Sequence, residues 1–113
     1  MKLLVCGGRN YADRMQLGHA LDMLYSTDPI TIVIQGGAPG ADTLAAIWAM
    51  QRGIHCAEVK AMWGKLGRRA GPMRNEAMLT LRPDLVLAFP GGIGTDGMCK
   101  LASDAGIRVI RAG

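Results

Sequence analysis

The apolar run Leu85-Val86-Leu87-Ala88-Phe89, followed at once by Pro90-Gly91-Gly92-Ile93-Gly94-Thr95, restricts the fold more than any other stretch of this chain. Apolar residues in succession, without alternation, require a strand covered on both faces, as in a parallel sheet. Pro90 has no N–H to give a ladder and closes the strand. Gly91, Gly92 and Gly94 then let the backbone turn sharply and leave open space beside it. A helix is predicted from Thr95 or Asp96. Its first turn would offer unpaired N–H groups, and the positive end of its dipole, to an anion.

The same plan of strand, glycine turn and helix occurs twice upstream. Lys2 to Cys6 reads as a strand leading into Gly7-Gly8-Arg9-Asn10-Tyr11, with Asp13 placed to cap a helix whose inward face is Leu17, Ala20, Leu21 and Leu24. Asp28-Pro29 ends that helix. The β-branched run Ile30-Thr31-Ile32-Val33-Ile34 is a second strand. It enters Gln35-Gly36-Gly37-Ala38-Pro39-Gly40-Ala41-Asp42, and a helix bearing Leu44, Ala45, Ile47 and Trp48 follows until Gly53. A third strand is predicted over Ile54 to Val59, a loop from Lys60 to Pro72, and a short helix from Met73 to Leu81. That helix would turn Ala77, Met78 and Leu81 inward, with Met73 and Met78 as core filler. After Arg82-Pro83-Asp84 comes the strand of the opening run, then a helix burying Met98, Leu101, Ala102 and Ala105, then a last strand over Ile107 to Ile110.

Strands separated by helices imply right-handed crossovers. The expected fold is α/β: a single Rossmann-like, doubly wound domain over residues 1–113 with a five-stranded, mainly parallel sheet. Glycine turns after strands one, two and four would gather at one sheet edge, where such folds bind ligands.

Composition excludes several classes. At 113 residues and 50% hydrophobic, the chain can bury one core. No apolar run approaches the ~20 residues of a membrane helix. The apolar start, Leu3 to Cys6, is far too short for a signal peptide, so a cytoplasmic location is expected. Cys6, Cys56 and Cys99 include no C-x-x-C pair, and His19 and His55 stand alone. Reduced thiols, no metal and no cofactor are the expectation. Of the net charge of +4, the segment holding Lys60, Lys65, Arg68, Arg69 and Arg74 carries more than the whole, since it has no acid until Glu76. It suits an anionic ligand or nucleic acid, or equally a solvated loop.

Single motifs are ambiguous. Gly92-Ile93-Gly94-Thr95-Asp96-Gly97 matches G-x-G-x-x-G, but the chain ends before an acid about 20 residues onward could hold a ribose. Gly36 to Thr43 lacks the lysine of a P-loop. Asp42 suits either a helix cap or a ribose hydroxyl. Arg74 could pair with phosphate bidentately, Asn75 can donate and accept, and Glu76 suits the helix dipole. Trp63 reads either as a stacking face for a base or as a packing anchor.

Taken together, Gly7 to Tyr11, Gly36 to Asp42, Trp63 with Gly71-Pro72-Met73-Arg74-Asn75-Glu76-Ala77-Met78, and Ala88 to Thr95 resemble the YspA-like, cpYpsA-related branch of the SLOG superfamily. The resemblance spans nearly the whole chain. It implies a compact Rossmann-like fold that senses or processes nucleotides or nucleotide-derived molecules in bacteria and phages. The superfamily also contains DNA-processing proteins and the "lonely guy" phosphoribohydrolases, whose P-G-G-x-G-T precedes a catalytic glutamate pair. Pro90 to Thr95 matches that motif, but Gly97 and Met98 stand at the glutamate positions. Asp42, Glu76 and Asp96 are the nearby carboxylates that remain.

The expected function is therefore binding of a nucleotide or an ADP-ribose- or NAD-derived molecule. Hydrolysis of a nucleoside monophosphate comes second and single-stranded nucleic-acid binding third. Gly91, Gly92, Gly94 and Thr95 would cradle a phosphate, while Gly36, Gly37, Gly40 and Asp42 would flank a ribose or second phosphate. Arg9 and Arg74 would add charge, and Trp63 or Tyr11 a stacking face. Gly7, Gly8, Ala41, Asn75 and Pro90 complete the expected ligand-binding set. The expected partners are a small nucleotide-like ligand and further copies of the chain, without a membrane.

Overall fold

The computed structural model describes residues 1–113. Five strands, β1 (Lys2–Cys6), β2 (Ile32–Gln35), β3 (His55–Glu58), β4 (Leu85–Ala88) and β5 (Arg108–Arg111), form one sheet in the order β3-β2-β1-β4-β5. Every pairing is parallel; Leu3, Leu4, Val5 and Cys6 face Leu85, Val86, Leu87 and Ala88 in register. The chain winds outward from β1 to β3, crosses back to β4, and winds outward again to β5. Strand order thus reverses between β1 and β4, and the loops leaving these neighbouring strands diverge to opposite faces.

Helices α1 (Arg14–Thr27) and α2 (Ala41–Gln51) cover one face of the sheet. Leu17 and Leu21 of α1, with Ala45, Trp48 and Ala49 of α2, pack there on Leu3, Val5, Val33, Leu85 and Leu87. Asp13 caps α1 as its sequence position predicts, accepting from the Gln16 N–H at 3.0 Å. Trp48 Nε1 donates to Asp22 Oδ1 across to α1 at 3.0 Å. The other face carries α4 (Ala70–Leu79) and α5 (Ile93–Asp104), whose Met78, Met98, Cys99 and Ala102 meet Leu4, Cys6, Ile34, Val86 and Ala88. All four residues of β4 are buried, which explains its unbroken apolar sequence.

The expected α/β, doubly wound plan is the one the chain adopts. Its departures lie between Lys60 and Leu81, and at the ends of α5. The expected loop contains a short helix, α3 (Trp63–Leu66), and a 3₁₀ turn over Gly67–Arg69. α4 begins at Ala70, three residues before the expected start, with Gly71 and Pro72 in its first turn. First-turn N–H groups have no intrahelical acceptor, so a proline there forfeits no hydrogen bond. The inward face of α4 is Ala70, Gly71, Asn75 and Met78. Met73 and Leu81, expected inside, are 48% and 39% exposed, and Ala77 also faces solvent. α5 begins at Ile93, ahead of the expected Thr95, and Ala105 lies exposed at its C-cap.

Candidate functional site

The three glycine turns meet at Gly8. Its N–H donates to Pro90 O at 2.9 Å, joining the loop after β1 to the loop after β4. Its carbonyl accepts from Tyr11 N at 3.2 Å and from Ala41 N, in the first turn of α2, at 3.3 Å. Gly40 makes this junction possible. It sits at φ +83°, and a Cβ there would collide with Gly8 O and lie 2.7 Å from both the Arg9 carbonyl carbon and oxygen. The loops after β1, β2 and β4 are therefore held together by backbone contact.

Beside this junction, on the α4/α5 face, lies a cleft of about 280 Å³. Its wall from the expected set is Gly7, Gly8, Arg9, Asp42, Arg74, Asn75, Gly92, Gly94 and Thr95. Cys6, Ala38, Met78, Ile93 and Met98 line it too, although none of them belongs to the expected ligand-binding set. Gly36, Gly37 and Trp63 bound an adjoining recess of about 200 Å³, which shares Arg9, Ala38 and Arg74 with the cleft. Tyr11, Pro90 and Gly91 border a shallow depression on the α1 side of the junction. Gly40 and Ala41 line none of these cavities: the first is pressed on the Gly8–Arg9 backbone and the second is fully buried.

The first turn of α5 forms one wall. Gly92 is its N-cap and offers no side chain, and the first helical bond runs from Asp96 N to Gly92 O at 3.0 Å. The N–H groups of Ile93, Gly94 and Thr95 are thus left without acceptors in the chain. Asn75, almost fully buried, fixes this turn by donating Nδ2 to Gly94 O at 3.3 Å. Arg74, its neighbour on α4, crosses the cleft floor to Gly36, where Nη1 reaches the carbonyl at 3.4 Å. A Cβ at Gly36 would stand 2.9–3.0 Å from the Arg74 side chain and would push the guanidinium away from this position. Arg74 Nε is sealed from solvent with no acceptor, an expensive state for a charged group unless a further partner arrives.

Asp42 is the one carboxylate lining the cleft. It does not cap α2, whose N-cap is Gly40; from the first turn it reaches back, and Oδ2 accepts from Gly36 N at 3.1 Å and Ala38 N at 3.2 Å. It thereby braces the second glycine turn. Burial pushes its carboxyl above the ordinary value of 3.8, against the opposing pull of the Ala38 amide, Arg74, the Gly36 amide and Arg9. Burial also raises the Cys6 thiol, with Cys99 and Asp42 adding to the effect, so Cys6 remains protonated and a poor nucleophile. The other candidate carboxylates point elsewhere. Asp96 is exposed and pairs with Arg111 at 3.0 Å, and Glu76 is exposed and lines none of the cavities described. Chemically the cleft is an electropositive, backbone-lined seat with a single shielded acid.

The sequence model of the YspA, cpYpsA-related SLOG family matches residues 1–65, which carry the first two glycine turns, Arg9 and Asp42. The chain belongs to this family. The resemblance read from its glycine motifs is thus shown. A relative of this SLOG protein, the Gene 61 protein of Mycobacterium phage D29, is 37% identical over 120 residues, covering 99% of this chain and 96% of the phage protein. Among solved structures, DNA processing protein A from Streptococcus pneumoniae shares the fold with a TM-score of 0.79 at 19% identity, over 97% of this chain and 49% of that one. The SLOG chain thus spans about half the length of that neighbour. The Moco carrier protein from Chlamydomonas reinhardtii matches with a TM-score of 0.66 at 18% identity, over 100% of this chain and 77% of that one.

Proposed function

We propose that this SLOG protein binds a nucleotide or nucleotide-derived molecule, of the ADP-ribose or NAD-derived kind, by its phosphate. The observation that carries this reading is the meeting of three acceptor-less amides on α5 with the Arg74 side chain around one cleft. Amides at a helix start and a guanidinium fork both favour a tetrahedral oxyanion. A cleft of about 280 Å³ is near the lower end of small-molecule sites, so it suits the phosphate and sugar of such a ligand. Asp42, braced beside Ala38, would meet the sugar hydroxyls. The molecule acts in a reducing compartment such as the cytoplasm, where Cys6, Cys56 and Cys99 stay free thiols. Calorimetric titration with AMP, ADP-ribose and NAD tests the reading. Micromolar binding of at least one, weakened by inorganic phosphate, is expected; silence across all three would overturn it.

A second reading, hydrolysis of the bond between base and sugar, is favoured by one observation: the sole acid in the cleft has its carboxyl raised by burial, as a proton donor to a leaving base requires. Chromatography of AMP after prolonged incubation separates the two. Free adenine that disappears in Asp42→Asn supports hydrolysis, and intact AMP excludes it. The one solved neighbour is named for DNA processing and the other for carrying Moco, so the fold itself does not choose between polymer and small molecule. The narrow cleft favours the latter.

A further inference from the structure

We infer that the cleft takes up its anion together with a proton, which settles on Asp42 and turns that side chain from an acceptor into a donor toward the bound ligand. This rests on the phosphate reading of the cleft. The geometry behind it is an acid standing where it would repel the anion. Asp42 is 6% exposed, and it is the one carboxylate on a wall that also holds Arg9, Arg74 and the first turn of α5. The two oxygens of its carboxyl have different duties. Oδ2 accepts from the Gly36 and Ala38 amides and holds the second glycine turn, while Oδ1 accepts from no group of the chain. A proton on Oδ1 therefore leaves both braces intact.

The charged groups around Asp42 set the direction of the effect. Arg74 on α4 and Arg9 after β1 attract the carboxylate, and the amides of Gly36 and Ala38 bond it. Cys6, at the end of β1, is a thiol that burial and Cys99 keep neutral. From α5 the cleft receives backbone amides and Thr95, since Asp96 turns outward to Arg111. His19 and His55 are exposed and line none of the cavities described. In the empty cleft the arginines and amides thus oppose burial and favour the charged carboxyl. A seated dianion engages the same arginines and brings its own negative charge into a space of about 280 Å³. Both changes favour the neutral form, and little water surrounds a buried carboxyl to screen them. The cheapest adjustment is uptake of one proton from solvent. No bond of the anion breaks, and the new O–H meets whichever ligand oxygen lies beside it. Two unit charges ~6–8 Å apart, at an effective dielectric near ~20, shift such an equilibrium roughly 30- to 100-fold.

The test titrates the intact chain with sulfate, a tetrahedral dianion with no titrating proton of its own from about pH 4 to about pH 8, the range above an ordinary aspartate. Calorimetry in buffers of different ionisation heat counts the protons taken up with it. Uptake is expected to peak between the free and the anion-bound titrations of Asp42, approaching one proton per sulfate. Affinity falls roughly 30- to 100-fold as pH rises through that window. In Asp42→Asn, whose amide oxygen can still accept from Gly36 and Ala38, uptake vanishes and affinity no longer depends on pH. Glu76→Gln, which removes an exposed carboxylate outside the cleft, keeps both native behaviours. AMP, whose phosphate titrates itself, serves as a second anion through the difference between the native chain and Asp42→Asn. The ¹³C resonance of the Asp42 carboxyl gives a readout that needs no variant: its titration moves to higher pH when the anion is added. Anion binding without proton uptake in the native chain overturns the proton-linked acid while leaving the phosphate cradle standing, as does uptake that persists in Asp42→Asn. Silence of sulfate and AMP at every pH overturns the cradle and the linkage together.

Discussion

Gly40→Ala tests whether the three loops are held by direct backbone contact. Two costs add. The residue sits at φ +83° and ψ −127°, a region that residues with a Cβ rarely occupy, which costs about 1–3 kcal/mol. The new methyl would also overlap Gly8 O and approach Arg9 C and O to 2.7 Å, where the obstacle is backbone and cannot rotate away. Overpacking of this kind costs about 1–3 kcal/mol more. A total of roughly 2–6 kcal/mol is a large share of the ~6–17 kcal/mol expected for a chain of this length at ~0.05–0.15 kcal/mol per residue. Gly53→Ala is the internal control: φ is +67°, but no atom lies within 4 Å of the added Cβ, so its cost is about 1–2 kcal/mol from conformation alone. Urea denaturation of the two variants gives the difference. A Gly40→Ala variant no less stable than Gly53→Ala would refute the packed junction, and with it the claim that Gly8 unites the turns.

Arg74→Ala should weaken nucleotide binding by about 10- to 100-fold, the worth of charge-assisted hydrogen bonds, with Arg74→Lys recovering only part; calorimetry with AMP reads it. For Asp42 the sign follows from a folded value above the ordinary 3.8. As pH rises between those two values the folded state still holds a proton that the unfolded chain has lost, so stability falls, and above the folded value the loss is complete. Stability of the native chain relative to Asp42→Asn should therefore decline from near pH 3.8 upward and then level off, as denaturation at a series of pH values would show. Met78→Ala should cost about 2–5 kcal/mol through a buried void, whereas Met73→Ala should stay within ~0.5 kcal/mol. Paired thermal melts would expose an error in the register of α4 if the two shifts were alike.

Local pattern made the sheet legible, because β4 and the β-branched residues of β2 carry their burial in their composition. The positions of Gly8 and Thr95 around one cleft followed from the rule that loops at a switch point converge, whereas Arg74 was marked only by its charge and arrives from α4. What failed was running the loop on to Pro72, although a helix start accommodates both Gly71 and Pro72; of the expected inward face Met78 is buried, while Ala77 and Leu81 give way to Ala70, Gly71 and Asn75. Asp42 was ambiguous for another reason. An aspartate in a first turn has acceptable partners on either side, and only the packed loop shows that it braces Gly36 and Ala38. Cys6 and Met98 carry no chemical signature at all, so their place on the wall depends wholly on tertiary arrangement.

The structural division between the Gly8 junction and the Trp63 segment has a consequence for how such a molecule can change. The junction is interlocked, so alterations there endanger the whole sheet edge, whereas residues 63–69 contribute nothing to the core. Exchanging that short stretch between relatives should leave foldability intact, whereas exchanging the turn around Gly8 should not. Sequence change would then be tolerated most readily in a detachable stretch beside an unchanging joint.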